Sequence, residues 1–167
     1  MRRLTALFSL VLLAIAPLAT RADDASVAAT REKLWATLSS YSGMTFSKVD
    51  GHPNNFTASL ASGLTHAQSM EVVAVVGTTG TITFYVYPHV RGGYINIVKA
   101  KQGSAMMKKL LKMNYTTFMS WGADDDSDVF AAFNFTLESG YPEDSIVNVL
   151  DSVKNQDQFV AELIPLM

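Results

Sequence analysis

Between Val72 and Val98 the chain offers three β-rich runs separated by turns too short for anything except antiparallel neighbours. Val72 to Val76 is β-branched apart from Ala74, so both of its faces are apolar. Thr78-Thr79-Gly80 turns the chain. Thr81 to Tyr87 then places Ile82, Phe84 and Val86 on one face and Thr83, Tyr85 and Tyr87 on the other. Pro88 cannot donate to a ladder and is expected to close that strand. Arg91-Gly92-Gly93 turns again, and Tyr94 to Val98 is expected to return as a strand with Ile95 and Ile97 in phase. Such a run predicts an antiparallel meander.

Helical signals flank it. Val27, Leu34, Trp35, Leu38 and Tyr41 form one apolar stripe, stopped by Gly43. Met44 to Val49 is expected as a first strand, Asp50 to Asn55 as a loop, and Phe56 to Leu60 as a second short strand. Ser62 to Ser69 is polar and poorly patterned. A helix is expected over Ala105 to Met113, with Met106, Leu110 and Met113 inward and Lys108 and Lys112 outward. Strands at Phe118 to Gly122 and Val129 to Leu137 flank an Asp-rich hairpin connection, Ala123 to Asp128. Pro142, Glu143 and Asp144 open a last helix striped by Ile146, Val149, Leu150 and Val153, with a bend at Asn155-Gln156-Asp157. The fold class is therefore α+β: an antiparallel sheet with helices on one face, in the order helix, three to five strands, helix, two strands, helix.

Arg2 and Arg3 precede an apolar run from Leu4 to Ala16, and Thr20-Arg21-Ala22 has the layout of a cleavage site. The run is shorter than the ~20 residues of a membrane span. Residues 1–22 are expected to be a secretory signal peptide, cleaved near Ala22, and the product periplasmic or secreted with no membrane span. Residues 23–167 then form a single domain, long enough to bury a core without staples. The sequence holds no Cys. Without Arg2, Arg3 and Arg21, 10 basic residues face 15 acidic ones, a charge of about −5 with His neutral. An acidic balance of that size excludes nucleic-acid binding as the expected function.

The motifs that could carry chemistry are thin. Asp124, Asp126 and Asp128 begin like an EF-hand loop, but its sixth and twelfth positions hold Val129 and Phe135. His52, His66 and His89 stand alone, and Met106, Met107, Met113 and Met119 have core spacing. No Ser sits in a Gly-x-Ser-x-Gly elbow, and Gly77-Thr78-Thr79-Gly80 lacks the Lys of a phosphate loop. Lys99, Lys101, Lys108, Lys109 and Lys112 read as a solvated basic face, with contact to an acidic partner as the alternative. Asn55, Asn114 and Asn134 each open an Asn-x-Thr triplet, a coincidence of composition. No catalytic, cofactor or metal residues are expected.

Leu110-Leu111-Lys112-Met113-Asn114-Tyr115, the acidic hairpin Asp124 to Asp128 and Tyr141-Pro142-Glu143 resemble the YbjN family, described as bacterial sensory transduction regulators. The resemblance covers roughly the last 60 residues well and the first half by order of elements. It implies the fold of type III secretion chaperones and a bacterial source.

Two functions from different classes follow. The first is an exported, non-enzymatic binding module, chaperone-like or regulatory, that holds a protein or peptide partner or a second copy as a homodimer. The second is a small periplasmic hydrolase or ligand-binding enzyme, which needs polar side chains converging in a pocket. For the first, the contact residues are expected to be Tyr85, Tyr87, Val73 and Val75, because tyrosine packs its ring while its hydroxyl stays wet. The alternative for that face is burial beneath the segment from Asp50 to Ser69.

Overall fold

In the computed structural model, which describes residues 24–167, the chain begins with α1 (Asp24–Ser40). Five strands follow: β1 (Ser47–Val49), β2 (His52–Leu60), β3 (Ser69–Gly77), β4 (Thr81–Val90) and β5 (Gly93–Tyr94). Then come α2 (Gly103–Met113), β6 (Ser120–Ala123), β7 (Val129–Thr136), α3 (Glu143–Ser152), a 3₁₀ turn and α4 (Asp157–Leu163). The export signal expected over residues 1–22 lies outside the described residues.

All strand pairs are antiparallel and the sheet order is β1-β2-β3-β4-β7-β6, with β5 paired to β4 off that path. The first four strands make the expected meander. The β6–β7 hairpin then returns across α2 and docks β7 beside β4. Burial alternates along β3 and β4: Met70, Val72, Ala74, Val76, Ile82, Phe84 and Val86 are buried, and the residues between them are half-buried. That buried face shares one core with Leu34 and Leu38 of α1, Met106 and Leu110 of α2, and the stripes of α3 and α4. The helices therefore lie on one face. Phe56 and Phe84 are fully enclosed there, and truncating either to Ala would cost about 3–5 kcal/mol.

The end of α2 is tied to the sheet by Asn114. Its side-chain amide donates to the Trp121 carbonyl at 3.2 Å and accepts the Trp121 N–H, acting as one more rung beside β6.

Four expectations are corrected. β1 occupies only Ser47–Val49 of the run from Met44, because Met44 and Phe46 are drawn into the core. The loop expected over Asp50 to Asn55 shrinks to a tight turn: Gly51 takes φ +75, and β2 starts at the next residue. Pro88 does not close β4, which runs on to Val90. The His89 carbonyl accepts from the Gln68 N–H on the β3 side, so alternation turns residue 88 toward β7. The β4–β7 ladder has already ended at Val86, so no rung is lost. Finally, the strand expected from Tyr94 to Val98 is only Gly93–Tyr94. Beyond it, Ile95 and Ile97 bond to Val129 and Ser127 at the acidic turn instead.

Candidate functional site

Register fixes which side chains share the face of the sheet that none of the described helices covers. Val73 lies opposite Tyr85, Val75 opposite Thr83, and Glu71 opposite Tyr87. Ala132 of β7 lies opposite Tyr85, and Tyr94 of β5 lies opposite His89. Tyr85, Tyr87, Val73 and Val75 are thus brought together, all half-buried and outside the helix-covered core. The alternative cover is ruled out. Residues 52–60 extend the sheet edge-on as β2, and Thr65 to Ala67 are held by Asp157 at the start of α4.

Two rings join them that the sequence reading missed. Phe130 packs edge-on to Tyr85 with centroids 5.2 Å apart and lies 5.8 Å from Tyr87. Tyr94 meets Tyr87 at 5.7 Å and His89 at 4.3 Å. The result is a continuous aromatic strip. Phe130 was legible from its own strand, since it is in phase with Asn134 and out of phase with Phe133 and Phe135. Tyr94 was not, because its placement depends on how short β5 is.

One end of the strip is acidic. A concavity of about 240 Å³ is lined by Tyr87, Tyr94, Glu71, Asp124, Asp126 and Asp128. Glu71 accepts from the Tyr94 hydroxyl at 2.5 Å and from Thr57, and His89 Nε2 stands 3.5 Å from it, a pair only when the imidazole is protonated. The bond to Glu71, then burial, pushes the Tyr94 phenol up to about 12. Burial, then the Asp124 carboxylate, does the same for Tyr87, also to about 12. Both rings are therefore neutral donors at ordinary pH.

The acidic turn is built by its own side chains. Asp124 Oδ1 accepts the N–H of Asp126 at 3.1 Å and of Asp128 at 2.9 Å. Buried Asn96 donates to the Asp126 carbonyl at 2.8 Å and to Asp128 Oδ1 at 2.7 Å. Among the described residues, no group of three His, Asp or Glu is arranged to hold a metal ion. The methionines divide: Met106, Met113 and Met119 are in the core, whereas Met107 is half-exposed on α2 beside Leu111 and Lys108. Of the lysines, Lys109 pairs with Glu162.

A larger concavity, about 620 Å³, lies by the helices between Tyr41, Met44, Leu60, Leu150, Asp151 and Lys154. Two of its polar side chains are bonded to each other: the Tyr41 hydroxyl donates to Asp151 at 2.8 Å. Burial and then that bond raise Tyr41 to about 12, which makes it a poor base at neutral pH.

Among the described residues, no helix is long and apolar enough to cross a membrane. Compared with known proteins, the sequence matches no protein-family model and no curated protein.

Proposed function

We propose that this chain is a non-enzymatic binding module that holds a protein or peptide partner on the uncovered face of its sheet. The observation that carries the reading is the aromatic strip Tyr85, Tyr87, Tyr94 and Phe130, which shares that face with Val73 and Val75 while every described helix stands on the other. Rigid rings of mixed polarity give contact area at small entropic cost, and they are enriched where proteins meet. The engaged Tyr41–Asp151 pair in the larger concavity argues against hydrolase chemistry there. As part of the same proposal, the chain is a YbjN-like protein that works after export, in the periplasm or beyond. The Leu110 to Tyr115 motif and the basic-then-apolar start of the sequence support that part.

The double variant Tyr85→Ala with Tyr87→Ala tests the reading. It is expected to keep the cooperative melt of the parent while losing association in a pull-down from periplasmic extract and in sedimentation of the purified protein. A parent that captures nothing and stays monomeric at high concentration, with a double variant that unfolds, would make the strip internal packing.

A further inference from the structure

Resting on the binding reading above, we propose that the partner is an extended peptide carrying an arginine, whose guanidinium seats in the notch between Tyr87, Tyr94 and the surrounding carboxylates. Charge points to a cation. Four carboxylates line this one concavity. The strand positions that share its face are Asn55, Thr57 and Ser59 on β2, the odd-numbered residues of β3 and β4, and Phe130, Ala132, Asn134 and Thr136 on β7; none is Lys or Arg, and the one base among them is His89, beside Glu71. Like charges held together without a cation repel, and a guanidinium between them relieves that repulsion.

The walls point to the same ligand. Tyr87 and Tyr94 meet edge to face there, and a guanidinium packs against aromatic rings while forking onto a carboxylate, which an ammonium does less well. Size separates one side chain from a whole small ligand. About 240 Å³ is below the roughly 300–1,000 Å³ that encloses a whole small ligand. It suits the head of one side chain. The strip then continues through Phe130, Tyr85 and Val73, giving the flanking residues of a peptide an apolar seat.

The test uses the purified protein and four dye-labelled pentapeptides, Ser-Val-X-Phe-Thr with X as Arg, Lys, Gln or Glu, followed by fluorescence anisotropy. Arg is expected to bind tightest, Lys next, and Glu about tenfold or more weaker than Arg, with Arg binding falling as NaCl is raised. Glu71→Gln with Asp126→Asn should lose about tenfold for Arg and little for Gln. Asp126→Lys, at an exposed turn position, gives the same answer should the double variant fold poorly. Equal binding of the Arg and Glu peptides, or Arg binding indifferent to both variants, overturns the arginine site. If Gln then binds and Tyr85→Ala with Tyr87→Ala abolishes it, the binding face stands without the cation. If no peptide binds, the arginine site falls, and the binding face is judged by the pull-down and sedimentation alone. Arginine amide competing as tightly as the Arg peptide would assign the notch to a free cation, and a Ca²⁺-dependent rise in Tm lost in Asp126→Asn would assign it to a metal.

Discussion

Asp157 shows how much one side chain can organise. It is buried, and its carboxylate accepts the consecutive N–H groups of Thr65, His66 and Ala67 at 2.6 to 3.1 Å. Burial alone would raise its pKa, but the three backbone donors outweigh burial and hold it below the ordinary carboxyl value of 3.8. Asp157→Asn keeps the shape and loses the charge, so urea denaturation at neutral pH should show a loss of about 1.5–3 kcal/mol. The sign with pH follows from the depressed pKa. The contribution is full above the unfolded value of 3.8 and disappears as pH falls through the folded one, so the gap between parent and variant should close in strong acid. None of this was legible in the sequence. Ser62 to Ser69 reads as unpatterned because its order is imposed by a residue about 90 positions away. Asn114 and Tyr141, by contrast, stood out as motif residues, and the structure gives each a definite contact. Asn114 extends β6, and the Tyr141 hydroxyl meets that of Thr37 at 2.8 Å.

Among the elements, the acidic turn separates charge from geometry. Asp124 works through its acceptor oxygen, whereas Asp125 and Asp126 are exposed. Asp124→Asn keeps an acceptor and should be close to neutral, Asp124→Ala should cost about 1 kcal/mol, and Asp125→Ala should stay within about 0.5 kcal/mol in the same urea titration. Alternation, the direct imprint of a one-sided core, made β4 and β7 legible, whereas β3 was legible from its nearly continuous β-branched run. β5 was misjudged for the opposite reason. Ile95 and Ile97 alternate correctly, yet buried Asn96 commits its amide to the acidic turn and its side-chain carbonyl to the Lys99 N–H, which bends the chain away from the sheet. Of the proposed contact residues, Tyr85 and Tyr87 were legible for the same periodic reason, and Val73 and Val75 from the doubly apolar run of β3. The carboxylates beside them were not, since only tertiary pairing brings Glu71 to Asp124 and Asp128.

Taken whole, the molecule concentrates its tyrosine hydroxyls near carboxylates, and alkaline titration reads that directly. Unfolded phenols ionise near 10, whereas Tyr41, Tyr87 and Tyr94 do so at about 12. Between those values the unfolded chain has released protons that the folded one retains, so stability should fall as pH rises from 10 to 12. Tyrosinate absorbance should show a late-ionising group, and Tyr94→Phe should remove one member of it. The sheet's two flanks carry a different consequence. β1 has three residues and β6 has four, so a passing strand meets few unpaired backbone groups at either flank. Short flanks of this kind let the proposed binding face be apolar and aromatic without inviting fibrous self-assembly through the rims. Where β2 outruns β1, over Ala58 to Leu60, and β7 outruns β6, over Phe133 to Thr136, the open runs are shorter than the roughly six-residue segments of amyloid-like growth.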